Sequence, residues 1–247
     1  MRPLIAGNWK MHGLAAQLHE IETIAASVHA KSPAADVLIC VPATLLSRAV
    51  QTAAGRIVLG GEDCHAEASG PFTGDISAGM LRDTGAAAVI VGHSERRQYH
   101  FETDDVVASK AEAALANGIT PIVCVGETLA QRDAGQTEEV VKRQPAAVIH
   151  VNGHCISEIV VAYEPVWAIG SGLVPSVADV AEVHAFVRKQ LAASHGAEGA
   201  KMRILYGGSV KPSNAKELMS VPHVNGALVG GASLVASDFL GIVGAYA

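Results

Sequence analysis

Short apolar runs alternate with longer stretches of helical spacing almost from end to end, and this repeat restricts the fold of the 247-residue chain more than any other feature. The runs that read as strands are residues 4–9, 37–41, 57–59, 88–91, 122–125, 159–163, 202–206 and 227–229. Between them, residues 15–28, 45–53, 105–116, 137–149, 177–193 and 213–220 carry apolar side chains at helical spacing, and 234–243 reads as a closing helix. A strand that returns through a helix to the next strand runs parallel to it. Eight such units in roughly this length fit a closed (β/α)8 barrel better than an open doubly wound sheet, which usually has fewer strands. No linker interrupts the pattern, so residues 1–247 are expected to form a single domain.

Composition agrees and excludes several functions. With 49% hydrophobic and only 4% aromatic residues, the core must be built mainly from Ala, Val, Ile and Leu, which suits closely packed layers. A net charge of −6 and no basic run leave no general attraction for nucleic acid or an anionic membrane, so an anionic ligand would need a local field. No run reaches membrane-spanning length, and the first eleven residues lack the features of a signal peptide. Cys40, Cys64, Cys124 and Cys155 have no metal-site spacing and lie in or near apolar segments, as reduced core cysteines of a cytoplasmic protein would.

In such a barrel the residues just past each strand converge on one mouth and are to be read together. They include Asn8-Trp9-Lys10, Gly92-His93-Ser94-Glu95, Glu164, Gly207-Gly208-Ser209 and Gly230-Gly231-Ala232-Ser233. Glu164 leaves an apolar strand directly before Pro165 and a Gly-rich loop. It reads either as an ordinary loop-opening carboxylate or as a general base whose pKa is raised by apolar neighbours such as Ile169. His93 precedes a polar segment able to start a helix, whose N–H groups disfavour an imidazolium. Lys10 is the main cation of the mouth. The two late glycine pairs allow backbone N–H groups to approach a phosphate, with Ser209 as a further donor. Neither pair matches a dinucleotide or Walker-type fingerprint, and no metal-ligand cluster is visible. A carboxylate, a cation, a neutral donor and a phosphate cradle suit proton abstraction beside a carbonyl in a small phosphorylated compound. Residues 62–74, long and Gly-rich without helical period, read as a contact loop or a plain surface loop.

Five blocks in order resemble the triosephosphate isomerase family: Ala6-Gly7-Asn8-Trp9-Lys10-Met11, Gly92-His93-Ser94-Glu95-Arg96-Arg97, Ala162-Tyr163-Glu164-Pro165-Val166-Trp167-Ala168-Ile169-Gly170, Tyr206-Gly207-Gly208-Ser209-Val210 and Leu228-Val229-Gly230-Gly231-Ala232-Ser233-Leu234. The resemblance implies a TIM barrel that interconverts dihydroxyacetone phosphate and D-glyceraldehyde 3-phosphate through an enediolate, without a cofactor or metal, in glycolysis and gluconeogenesis. It implies Glu164 as the base, His93 as the carbonyl donor, Lys10 and Asn8 as stabilisers of the enediolate, and Glu95 as their support. It places the phosphate on Gly170, Ser209, Gly230 and Gly231. Residues 168–172, with Ile169, would form a lid hinged at 165–167, which includes Trp167, and at 173–175; Tyr206 and Ser209 would hold it closed. It further implies a homodimer in which Thr73 lies near the second copy's Asn8 and Lys10. Leu173-Val174-Pro175, His100-Phe101 and Asn225 depart from the family's common pattern. Two rivals remain at this point. One is a Schiff-base aldolase acting through Lys10; the other is a non-catalytic sugar-phosphate-binding scaffold.

Overall fold

The computed structural model describes residues 1–149, 158–169, 171 and 173–246. Its eight strands are β1 (Leu4–Asn8), β2 (Asp36–Cys40), β3 (Val58–Gly61), β4 (Ala88–Val91), β5 (Thr120–Val125), β6 (Val160–Tyr163), β7 (Arg203–Tyr206) and β8 (Gly226–Val229). Every neighbouring pair is parallel, and β8 returns to β1 to close the barrel in sequence order. The helices are α1 (Leu18–Lys31), α2 (Ala43–Ala53), α3 (Ala78–Asp83), α4 (Ser94–Tyr99), α5 (Asp104–Ala116), α6 (Leu129–Asp133), α7 (Thr137–Ile149), α8 (Val177–Lys201), α9 (Pro212–Met219) and α10 (Ala236–Val243). The expected (β/α)8 barrel is therefore the observed one.

Strand interiors are apolar because both faces are buried, and the polar residues Asn8, Asp36, Thr120 and Arg203 fall at strand ends. One face fills the barrel, where Leu4, Ala6, Leu38, Cys40, Ala88, Ile90, Ile122, Cys124, Val160, Ala162, Leu205 and Leu228 form a closed cluster. The other face packs under the helices through residues such as Ile5, Ile39, Val89, Val123, Val161 and Ile204. Aliphatic side chains of modest size suffice for both layers, which explains the scarcity of aromatics.

Several boundaries differ from the sequence reading for local reasons. Strand β3 runs past residue 59 through Gly60 and Gly61, and glycine is required there because a Cβ on Gly60 would lie 2.7 Å from the Ala88 carbonyl oxygen. The short helices α3, α4 and α6 escape a periodicity test because none exceeds six residues. Each is instead started by a cap. Ser77 accepts the Met80 N–H, His93 accepts the Glu95 N–H, and Thr128 forms a reciprocal box with Gln131. Helix α8 runs on past residue 193, with a break at Gly196 where φ is 56°. Asn225, one of the residues noted as departures in the sequence, has a structural part: its Oδ1 accepts Arg188 Nη2 at 2.8 Å and the Ile204 N–H at 3.1 Å.

Buried polar groups are few and individually placed. His184 of α8 is fully enclosed, its Nδ1 lies 3.3 Å from the His223 carbonyl oxygen, and burial pushes its pKa down to about 4. It is a neutral core histidine beside Tyr163 and Tyr206. Cys40, Cys64 and Cys124 are buried free thiols; Cys155 lies outside the described residues. Among the described residues no helix is long and apolar enough to cross a membrane.

Candidate active site

Because all eight strands point the same way, their C-terminal ends open on one face, and there a cavity of about 510 Å³ collects most of the residues singled out in the sequence. Asn8, Lys10, His93, Glu164, Ile169, Ser209, Gly230 and Gly231 all line it. They come from loops after β1, β4, β6, β7 and β8, so parallel topology alone makes neighbours of residues far apart in the chain.

Glu164 directly follows β6, with its N–H bonded to the Val125 carbonyl of β5 at 2.8 Å. Its carboxylate is almost fully buried. One oxygen, Oε1, lies 2.8 Å from His93 Nε2, and the other accepts the Ser94 N–H at 3.0 Å. His93 reaches this point because Gly92 turns the chain with φ 66°, and a Cβ there would lie 2.7 Å from Val107 Cγ1. His93 Nδ1 accepts the Glu95 N–H at 3.2 Å. A ring nitrogen that accepts an amide proton carries none of its own. The ring proton therefore sits on Nε2, aimed at Glu164.

The electrostatics correct two expectations. Burial does push the Glu164 carboxyl up, as anticipated, but the facing His93 ring and the Ser94 N–H outweigh it, and the net shift is downward. Burial likewise lowers His93, but the Glu164 carboxylate outweighs that, and its net shift is upward. The helix start still opposes an imidazolium through the Glu95 amide, yet it does not dominate. Sequence reading placed these groups at one mouth; it had no means of knowing that they touch.

Lys10 adopts a left-handed backbone with φ 58°, a conformation that costs a non-glycine residue about 1 kcal/mol or more and that clusters at functional sites. The Asn8 side chain stabilises it by accepting the Lys10 N–H at 3.0 Å. The Lys10 ammonium then lies 2.5 Å from Glu95 Oε1, so Glu95 supports Lys10 directly and His93 through its main chain. An ion-paired ammonium is a poor Schiff-base nucleophile. In the loop after β8, next to β1 in the barrel, a Cβ built on Gly231 would meet nothing within 4 Å, and one on Gly230 only Lys10 Cε at 3.8 Å. Bare backbone thus faces open cavity, as an anion cradle requires.

The remaining predicted residues stand around this centre. Trp167, in the 3-10 turn Val166–Ala168, donates Nε1–H to Glu127 Oε1 at 2.9 Å and lies under the Arg132 guanidinium at 4.2 Å. Tyr206 is buried at the end of β7, with its hydroxyl close beneath Gly208. Thr73 is exposed and away from the cavity. Gly170 lies outside the described residues. Glu127, completely buried, was missed by the sequence reading although it too follows a strand end. It accepts the Tyr163 hydroxyl at 3.1 Å as well as Trp167, tying the strand that bears Glu164 to the base of the lid.

Comparison with known proteins agrees with the barrel. The family model described as triosephosphate isomerase matches residues 3–246. A triosephosphate isomerase of Rhodopseudomonas palustris (strain BisA53) is 60% identical over 98% of this chain and 96% of its own length. One from Ruegeria pomeroyi is 57% identical over 99% of this chain and 97% of its own. The crystal structure of triosephosphate isomerase from Bartonella henselae superposes with a TM-score of 0.92 at 51% identity, covering 100% of this chain and 99% of that one. On barrel, site and sequence together, the chain belongs to the triosephosphate isomerase family.

Proposed function

We propose that the barrel mouth carries out the triose-phosphate isomerisation of this family, with Glu164 moving the proton between carbons and His93 serving the oxygens. The observation that carries these roles is the direct meeting of Glu164 and His93, 2.8 Å apart, inside a cavity that also holds Lys10 and two bare glycine backbones. A triose entering between them separates the pair. Glu164 then turns to the carbon acid and gives up the His93 ring and the Ser94 N–H, the contacts that hold its pKa down. Burial remains, so the carboxylate becomes a stronger base when the substrate arrives. The His93 Nε2–H points to the carbonyl oxygen, while Lys10 and Asn8 stabilise the charge that develops there. Gly170, Ser209, Gly230 and Gly231 take the phosphate.

Closure of residues 168–172 serves the same chemistry, because an enediolate phosphate exposed to water eliminates phosphate. Ile169, Leu173 and Val174 already border the cavity. Tyr206 and Ser209 hold the closed lid. The test is isomerisation of glyceraldehyde 3-phosphate in deuterated water by the parent and by Glu164→Gln: solvent deuterium in the product establishes the enediolate route, whereas a product free of deuterium together with undiminished turnover in Glu164→Gln would indicate a hydride shift and remove Glu164 from its role.

The same proposal includes a single domain over residues 1–247, a cytoplasmic location and a homodimer. Support for the dimer is exposed apolar surface: Met11 and Tyr99, both exposed, line a second cavity of about 640 Å³ that also reaches Lys10 and Glu95. The exposed loop carrying Thr73 is the segment that fills this cavity in the second copy. Thr73→Arg is expected to give a monomer in sedimentation and to lower kcat/KM at least tenfold by loosening the Lys10 loop, an order of magnitude set by loss of positioning. A fully active monomer would refute the dependence of activity on the dimer.

A further inference from the structure

Glu62 follows β3 at the same mouth, the position that on other strands supplies Asn8, His93 and Glu164, yet none of the roles above uses it. It lines the second cavity with Asn8, Lys10, His93 and Glu95. Its Oε1 is buried without a hydrogen-bond partner. The Lys10 main-chain N–H faces the same carboxyl. The charged and titratable groups facing Glu62 are Lys10 from the β1 loop, Glu95 from α4 and the Cys40 thiol from β2. Neighbouring Asp63 is engaged elsewhere, with Arg96 at 2.9 Å and Lys110 at 2.8 Å.

This arrangement creates a problem of charge. Lys10 already has one carboxylate, Glu95, at 2.5 Å. A second ionised carboxylate beside it would leave one cation between two anions, and the local field would repel a phosphorylated substrate. A buried carboxylate oxygen without a donor is also costly, whereas a carboxylic acid leaves less charge to solvate.

We propose that Glu62 is a positioning residue that acts through Lys10: as a neutral acid it leaves the Lys10 charge available to the substrate, and its ionisation withdraws that charge. The proposal rests on the reading of Lys10 as a contact to the substrate anion. Burial, with the charge of Glu95 adding to it against the opposing influence of Lys10, pushes Glu62 up to about 8. The acid form therefore prevails at neutral pH and the carboxylate prevails only in the alkaline range.

The experiment is the pH dependence of KM and kcat for glyceraldehyde 3-phosphate from pH about 6 to about 10, a range that spans this titration, in the parent, Glu62→Gln and Lys10→Met. In the parent, KM is expected to rise on the order of tenfold around the midpoint at about 8, with a smaller fall in kcat. Glu62→Gln, a neutral isostere, is expected to lack that rise and to bind substrate more tightly than the parent on the alkaline side. Superimposable profiles for the two would overturn the proposal. An unchanged KM in Lys10→Met would instead remove the premise about Lys10, so the two failures are distinguishable. Infrared titration gives a second readout: a carboxylic-acid band present at neutral pH in the parent and missing in Glu62→Gln is expected, and the absence of such a difference would equally overturn the proposal.

Discussion

Glu164→Gln is expected to lower kcat by a thousandfold or more, within the roughly 10²–10⁴ that general acid–base catalysis contributes and toward its upper end because no other carboxylate borders the cavity among the described residues. The amide has the size and shape of the acid but cannot take a proton from carbon. Its carbonyl oxygen can still accept the Ser94 N–H, the 3.0 Å bond that positions the native side chain. The NH2 group then faces the His93 Nε2–H, two donors at a position where the native pair makes a 2.8 Å contact. His93 must turn or pair with water, which adds to the loss. Affinity for inorganic phosphate is expected to stay close to that of the parent, since Gly230, Gly231 and Ser209 belong to the loops after β7 and β8 and the substitution keeps the size and shape of the Glu164 side chain. Assay of parent and variant purified side by side removes any contribution from a host isomerase. Near-normal turnover in the variant would rule out Glu164 as the base, and loss of phosphate affinity together with turnover would point to collapse of the site rather than to missing chemistry.

What could be read from the sequence follows from what a parallel barrel makes inevitable. Once eight strands alternate with helices, Lys10, His93 and Glu164 must share one mouth, whatever their separation in the chain. The glycine pairs at 207–208 and 230–231 were legible for the same reason. Side-chain contacts were not. The net downward shift of Glu164 depends on a ring rotamer of His93 and one amide of Ser94, and no periodicity encodes either. Glu62 and Glu127 are a different case. Both stand at strand ends, Glu62 directly after β3 and Glu127 separated from β5 only by Gly126, so a strand-end criterion applies to them as it does to Glu164. Glu62 opens a long Gly-rich segment that reads as a loop, and Glu127 lies between β5 and the five-residue α6, which is too short for helical periodicity to show.

Lys10→Met is expected to reduce kcat/KM by roughly 10²–10³, the typical effect of removing one preorganised group that stabilises developing oxyanion charge. Methionine is unbranched and of comparable reach, so the backbone that places the side chain is retained: the left-handed φ of 58° and the Asn8 bond to the Lys10 N–H do not depend on the ammonium. The effect should appear in both constants, since in the role proposed for it Lys10 meets the anionic substrate and the more concentrated charge of the enediolate. It is compounded by Glu95. Deprived of its partner at 2.5 Å, that carboxylate is left 3.6 Å from His93 Nδ1, where it favours an imidazolium and draws the ring away from the neutral form that donates to a carbonyl. Stability should change little, because the Lys10 and Glu95 side chains are 30% and 41% exposed and such pairs contribute at most about 1 kcal/mol. Lys10→Arg separates charge from geometry. It keeps the positive field but replaces a compact ammonium by a broad planar fork that does not fit the same point, so it should recover KM better than kcat. Unchanged KM in Lys10→Met, or full kcat in Lys10→Arg, would show that the cation is not positioned on the reacting oxygens.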